Sequence, residues 1–353
     1  MEGLTIKRKH GECYMTKLYE YSVLIGRFQP FHLAHKQLLN IALEKADSVI
    51  VILGSSFRAR NIRSPWDCDE REAMITKSLS LENKNRVKFI YLRDYLYNET
   101  MWIAELQEKV SEASLDSKKI LLVGHEHDKT SFYLKLFPQW DLLNVKNIDD
   151  CPHATKIREL YFTHDSEYKQ YLSPEVVSYL ESFKQTEAFK SLKSEFEFID
   201  SYKQSWAGAP FKPTFVTIDS VVIKSGHVLL VRRRGALGKG LLALPGGFLN
   251  QDETVLTGAL RELKEETAIK LSKEELENAV VDSKVFDHPL RSLRGRTISH
   301  AFLINLKSGD LPKVKGSDDA DKAFWMPLSE AFSREEEFFE DHIDIIRYFS
   351  MKY

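Results

Sequence analysis

Residues Glu262, Glu265 and Glu266 stand at i, i+3 and i+4 in the run "ALRELKEETAI". At helical spacing these carboxylates share a face, and charges that close repel one another until a divalent cation joins them. Hard oxygen ligands favour Mg2+ or Mn2+, ions that activate water and neutralise a pyrophosphate during attack at phosphorus. Far upstream, "LIGRFQPFHLAHKQLL" places His32 and His35 three residues apart, just beyond an apolar run. A strand that ends, a turn on Gly26, a loop stiffened by Pro30 and a helix start with free N–H groups together favour an anion. Imidazoles at that point donate to phosphate oxygens without the charge of a lysine.

These groups need elements to hold them. "YSVLIG" and "SVIVILG" are short apolar runs, with "HKQLLNIALEKA" between them at helical spacing, which predicts a parallel pair joined by a right-handed crossover. "RVKFIYL" and "KKILLVG" continue as strands around the helix "MWIAELQEKVSEAS", and helices are expected near 155–161 and 174–183. This is the rhythm of an α/β doubly wound domain. From 186 the composition turns polar, and "AGAPFKP" breaks the chain. Beyond it, "FVTIDSVVI", "HVLLVRRR", "SKVFDH", "TISHAFLINL" and "AFWMPL" read as strands, interrupted by a helix at 254–267 and followed by a charged one, an α+β pattern. The division expected is a first domain at 1–185, a linker at 186–212 and a second domain at 213–353.

A length of 353 residues favours two cores, and a formal net charge of −2 argues against a generic nucleic-acid surface. Three widely spaced cysteines with no CxxC pair suit reduced thiols and make a cysteine zinc site a poor expectation. No apolar stretch reaches the roughly 18 residues of a membrane span, and the start lacks the apolar core of a signal peptide, so the cytoplasm is expected.

The histidine stretch resembles the (H/T)xGH signature of nucleotidylyltransferases, with Ala34 where that signature has glycine. "NIRSPWDCDEREAMI" predicts a helix capped by Ser64, with Pro65 in its first position and Asp67 completing the cap. "VGHEHDKTSF" follows a strand with Gly124 and carries Asp128. "CPHATKIREL" places Thr155 as a helix cap and Arg158 in the first turn, where the family's ISxTxIR motif belongs, with His153 and Ala154 departing from it. Together, roughly residues 20 to 185 look like the archaeal-type nicotinamide mononucleotide (NMN) adenylyltransferases. The resemblance implies attack of the NMN phosphate on the α-phosphorus of ATP, giving NAD and pyrophosphate. It implies that Arg27, His32, His35 and Arg158 hold the ATP phosphates, and that Asp128 and the loop around Trp66 lie nearer the nucleotide and nicotinamide ends. Gly26, Phe28, Pro30, Arg71, Gly124 and Thr155 join the expected substrate-binding set.

From Gly247 the chain runs five residues to Glu253 and seven more to Arg261 and Glu262, then Leu263, Glu265 and Glu266. This is similar to the Nudix box, Gx5Ex7REUxEExGU, with Ala268 in place of the last glycine. The resemblance implies that Glu262, Glu265 and Glu266 bind the metal, while Arg261 and Glu253 support the loop. Ala268 lacks glycine's freedom at positive φ, so a differently shaped helix end is expected. Leu256, Leu260 and Leu263 line another face, suited to packing on a sheet. Arg232, Arg294 and Arg296 are candidate substrate contacts, and Asp318, Asp319 and Asp321 candidate outer acids. With "PGGF" and "LRGRTISHAF", the half resembles Nudix ADP-ribose pyrophosphatases, which release AMP and ribose 5-phosphate. The order of modules is similar to bifunctional proteins that join the two activities. The partners expected are ATP, NMN, NAD and ADP-ribose, with no nucleic acid and no membrane, and a homo-oligomer is left open. The alternative is a first domain that only senses nucleotides, beside a hydrolase for another dinucleotide such as NADH.

Overall fold

The computed structural model describes residues 6–9, 12–15, 17–125, 133–146, 151–307, 309–316 and 320–351. Asp128, Asp318 and Asp319 lie outside the described residues, as does the side chain of Asp321. The chain divides into two compact units, Met1–Lys190 and Ser191–Tyr353.

In the first unit, β1 (Ile6–Lys9) and β2 (Glu12–Met15) form an antiparallel hairpin that the polar start of the sequence did not announce. The main sheet holds β3 (Tyr19–Gly26), β4 (Ala46–Ser56), β5 (Val87–Arg93), β6 (Ile120–Gly124) and β7 (Asp141–Asn144). All pairs are parallel, in the order β5-β4-β3-β6-β7. The order reverses between β3 and β6, and a crevice opens beyond the carboxyl ends of strands at such a switch point. Helices α1 (Leu33–Lys45), α2 (Cys68–Lys77), the short α3 (Leu81–Lys84) and α4 (Glu99–Ala113) alternate with the strands. Val23, Ile50 and Ile52 pack with Leu106 and Val110 of α4. Ser22, of opposite parity on β3, donates to the Ala42 carbonyl of α1. α5 (Ala154–Phe162), a 3-10 turn at Ser166–Tyr171 and α6 (Pro174–Phe183) complete the unit. Their cores meet at Tyr161, whose ring lies edge-on to Tyr168 and Phe189.

Two expected caps move. α2 starts after Asp67, not Ser64: Asp67 Oδ1 accepts from Glu70 N at 2.9 Å, and Glu70 Oε2 accepts from Asp67 N at 3.0 Å. Ser64 is instead bridged to Asn61, and Gln29 clamps both backbone groups of Trp66, so 61–66 stays a loop. His153, not Thr155, caps α5, and Thr155 lies inside its first turn.

α7 (Glu187–Gln204) occupies much of the stretch between the sequence-defined domains. The second unit has a mixed seven-stranded sheet of β8 (Thr214–Lys224), β9 (His227–Arg233), β10 (Leu242–Ala243), β11 (Gly246–Phe248), β12 (Val280–Phe286), β13 (Arg296–Asn305) and β14 (Ala320–Pro327). Only β8 and β13 pair in parallel; β11 adds to β8 with Gly246 opposite Asp219, and β14 adds to β9. α8 (Val255–Thr267) buries Leu260 and Leu263 against Val222, Leu229 and Ile304, each worth about 1.5–3 kcal/mol. α9 (Lys273–Asn278), α10 (Leu328–Ser333), a 3-10 turn at Glu335–Glu337 and α11 (His342–Ser350) follow. Among the described residues no helix is long and apolar enough to cross a membrane.

The end of α8 does not follow the expectation of a reshaped terminus. Ala268 adopts φ 48 and ψ 30, the left-handed geometry glycine favours, and its N–H caps the Lys264 carbonyl. Burial of Ile269, 5% exposed, pins the turn and overrides the steric penalty on the Ala268 methyl. Replacing Ala268 with Gly is expected to stabilise the second unit by about 1 kcal/mol, a rise in melting temperature of roughly 2–4 °C by calorimetry. An unchanged or lower melting temperature would count against strain at this position.

Candidate active sites

The first site lies where β3 gives way to α1. A Cβ on Gly26 would stand 2.8 Å from the Phe28 ring, so glycine lets that ring close over the strand end. Phe28 is 1% exposed at φ 50, and its ring meets His35 edge-on at 4.9 Å. Pro30 follows through a cis peptide. Gly26, Phe28 and Pro30 therefore build the floor of the loop. His32 and His35 stack with ring centroids 3.6 Å apart, and the His32 backbone N–H donates to His35 Nδ1 at 3.4 Å. Burial above all, with nearby His153 and Arg158, pulls His32 down to about 4. Burial and then His32 push His35 well below its usual value, against the pull of a bond to the Pro30 carbonyl. Both imidazoles are thus neutral near pH 7. His32 Nδ1 faces Cys151 Sγ at 3.5 Å.

Arg158 Nη1 reaches back to the Gln29 carbonyl at 2.6 Å, and Nη2 donates to Thr155 Oγ1 at 3.2 Å. Its pKa falls to about 10 through burial and then the proximity of Arg27 and Arg63. Arg27 and Arg63 thus each stand near enough to Arg158 to repel it, and an anion would relieve that. Arg63 was missed in the sequence. Its position in a proline-bearing loop between a strand and a capped helix was the available signal.

Other expected contacts are engaged elsewhere. Arg71 is 1% exposed; Nη1 donates to the Arg27 and Gly54 carbonyls at 2.8 and 2.7 Å, and Nε to the Asp67 carbonyl at 3.1 Å. It ties the ends of β3 and β4 together and presents no free face to a ligand. Trp66, also 1% exposed, packs near Tyr161 and Phe183, with Nε1 buried and unpaired. Gly124 makes room for Leu134, whose Cδ2 would lie 2.4 Å from an added Cβ.

The second site gathers on α8. Arg261 forms a bidentate pair with Glu253 (Nε–Oε2 2.9 Å, Nη2–Oε1 2.7 Å) and reaches Glu262 and Glu265 through Nη1, each at 2.8 Å. Arg261 is the first cause holding Glu253 down at about 2. Gly247 is glycine because Glu262 Oε1 would sit 2.4 Å from its Cβ. Glu266, 9% exposed, accepts from the Gly246 N–H at 2.9 Å. Burial, with Glu262 and Asp219 adding to it, raises Glu266 to about 8, and burial raises Glu262. Hard oxygens carrying surplus negative charge fit a divalent cation. Among the described residues no three such ligands converge, and Arg261 Nη1 lies 2.8 Å from both Glu262 and Glu265.

Of the expected arginines, Arg294 belongs to this region: it lies over the Phe248 ring at 4.8 Å and close to Arg233. Arg296 pairs with exposed Asp287 instead. Arg232 donates to the Gly240 carbonyl at 2.6 Å, closing the loop after β9. Strand alternation sends its neighbour Arg233 to the other side. There it lies over Phe339 at 4.0 Å and near Glu266, with neither Nη atom paired among the described residues. Asp219, bonded by Ser299 Oγ, was missed in the sequence, where a carboxylate inside the apolar run "FVTIDSVVI" was the available signal. The buried Arg291–Asp341 pair, bonded twice at 2.9 Å, gave no such signal. Glu340 accepts from Ser292 Oγ and Leu293 N, and His342 Nδ1 accepts from Leu244 N at 2.8 Å. Consecutive residues thus anchor the Arg294 loop and the strand leading to Gly246.

The chain matches the family model described as Cytidylyltransferase-like over residues 23–176 and the NUDIX domain over residues 213–349. It is 38% identical to a bifunctional NMN adenylyltransferase/ADP ribose pyrophosphatase from Francisella tularensis, solved with AMP and a Mn ion. That match has a TM-score of 0.88 and covers 95% of this chain and 99% of the other. It is 35% identical over 184 residues to a nicotinamide/nicotinic acid mononucleotide adenylyltransferase from Acinetobacter baylyi, covering 52% of this chain and 96% of that protein. It is also 35% identical over 114 residues to an ADP-ribose pyrophosphatase from Methanocaldococcus jannaschii, covering 32% of this chain and 62% of that protein.

A buried neutral imidazole makes stability depend on pH. Between pH 6.5 and about 4 the unfolded chain protonates His32 while the folded protein does not, so stability falls as pH falls through that window. His32→Gln is expected to flatten this loss by up to about 3 kcal/mol in denaturation from pH 7 to 4. Parallel profiles for wild type and variant would contradict a neutral His32.

Proposed function

Because the chain belongs to the family of bifunctional NMN adenylyltransferases joined to ADP-ribose pyrophosphatases, we propose that it makes NAD at one site and degrades ADP-ribose at the other. We assign adenylyl transfer to residues 1–185 and hydrolysis to 213–353. The observation that carries the reading is the opposite charge of the two sites, with crowded guanidiniums beyond β3 and crowded carboxylates on α8.

At the first site an oxygen of the NMN phosphate attacks the α-phosphorus of ATP, and pyrophosphate leaves. No protein nucleophile is required, because positioning and charge stabilisation supply the rate. Arg27, Arg63 and Arg158 offset the charge that develops on the leaving pyrophosphate. His32 donates from Nε2 to a phosphate oxygen, and His35 braces the loop that presents it. The exclusion of water from the imidazole pair keeps those donors neutral and their bonds directional.

At the second site water attacks phosphorus in the ADP-ribose pyrophosphate, yielding AMP and ribose 5-phosphate. Glu262, Glu265 and Glu266 would hold a divalent cation, Mg2+ or Mn2+, which would supply charge neutralisation and polarise a water. The Gly246 N–H orients Glu266, Arg261 fixes Glu253, and Arg233 and Arg294 present guanidiniums to the phosphates. We place the enzyme in the cytoplasm, where ATP is abundant and Cys68 and Cys151 remain free thiols.

Glu266→Gln is expected to lower AMP release from ADP-ribose by at least about 100-fold while NAD formation from ATP and NMN is unchanged. Arg63→Ala, His35→Ala and Arg158→Ala should do the reverse, each lowering NAD formation by roughly 10- to 1,000-fold. Product assays on one preparation measure both activities. Loss of both in any single variant would contradict the assignment of separate sites.

A further inference from the structure

β12 closes one end of the mixed sheet: it pairs with β13, and among the described residues no strand pairs with its outer edge. Such an edge presents unpaired N–H and C=O groups to any chain that can match them. The Ser283 N–H is met by the side chain of its neighbour, Asp282 Oδ1 at 2.8 Å, and β13 skips Val281 at a bulge between Val280 and Asp282. Val281 and Val285 are each 47% exposed, with Ser283 exposed between them. Asp282 and Lys284 alternate with these and are partly buried; the Lys284 ammonium stands 4.2 Å from the centre of the Tyr348 ring of α11.

A bulge and charged side chains are common means of keeping an edge from pairing. In β12 the charges are placed so that one particular pairing escapes them. The run "VDSKV" is centred on Ser283, with Asp282 one place before and Lys284 one place after, and a valine two places away on each side. Laid antiparallel against its own copy about Ser283, it sets Asp282 opposite Lys284 twice and Val281 opposite Val285 twice. Opposed residues on antiparallel strands have Cβ atoms about 4.5–5.5 Å apart, within reach of an ion pair and of apolar contact. The edge strand β5 has no such symmetry: about its centre, Ile90, Lys88 would face Leu92 and Val87 would face Arg93.

We propose that β12 is a docking edge for a second copy of this chain, joining the second units of two chains through an antiparallel strand pair with two-fold symmetry. Ser283 exchanges backbone N–H···O=C bonds with Ser283 of the second copy, and Asp282 turns from the Ser283 N–H to Lys284 of that copy. The contact uses the same surface on both chains, so it closes at two. Five residues a side bury well under the roughly 1,200 Å2 of a standard interface, so the dimer forms at high protein concentration.

Sedimentation equilibrium of the full chain, from about 10 μM to about 1 mM, reads the association. The wild-type chain is expected to shift from monomer to dimer across that range. Asp282→Lys and Lys284→Asp each oppose like charges across the pair and should weaken association about 10-fold or more. Mixed in equal amounts, the two variants regain both ion pairs and should associate as the wild type does. Ser283→Pro removes the central N–H at an edge position that tolerates proline, and should leave a monomer with unchanged calorimetric unfolding. If that variant does not fold, the charge variants decide alone. A monomer at every concentration overturns the docking edge. So does a dimer that charge reversal leaves intact, or one whose loss the mixture fails to repair.

Discussion

Groups of like charge, held closer than water would leave them, are the constraint on which both halves of the molecule depend. Glu266 is raised to about 8 by burial, with Glu262 and Asp219 adding to the shift, while a single backbone N–H works the other way. Arg158 is lowered to about 10 because it is buried and because Arg27 and Arg63 stand near it. Neither arrangement lowers the energy of the free protein. Each becomes favourable when the opposite charge arrives, a cation in one case and a polyphosphate in the other. Binding energy is thereby directed to the atoms that react.

Holding such groups in place falls to residues with no part in the chemistry. Glycines leave the space that functional atoms occupy, Gly247 for the Glu262 carboxylate and Gly26 for the ring that supports His35. Buried ion pairs and caps fix the loops: Arg71 joins the ends of β3 and β4, and Arg291 with Asp341 ties the Arg294 loop to the start of α11. The networks are largely satisfied, which suits sites whose loops must hold a geometry within a fraction of an ångström.

Much of this was legible in the amino-acid sequence because it is written in local periodicity. The strand and helix runs around β3, α1 and β4 were readable, and α6 was expected at 174–183 and spans Pro174–Phe183. The glutamates of α8 were readable because their spacing is that of the helix itself. What was not legible depends on contacts distant in sequence. Arg232 and Arg233 differ by one strand position, and only the pairing of β9 decides which faces Glu266. The cap of α2 slid from Ser64 to Asp67 because Gln29, remote in the chain, holds Trp66 in a loop. Arg71 read as a substrate contact until the loops it binds were placed around it. The left-handed turn at Ala268 shows the opposite effect, where tertiary packing imposes a geometry that the residue type disfavours.

The most direct test is calorimetric unfolding of the full chain with inorganic tripolyphosphate or Mn2+ added singly. Relief of crowded charge stabilises the state that binds. The account predicts that tripolyphosphate raises the transition of the unit bearing Arg63 and Arg158, and that Mn2+ raises the transition of the unit bearing Glu262 and Glu266. Transitions that ignore both ligands would contradict it.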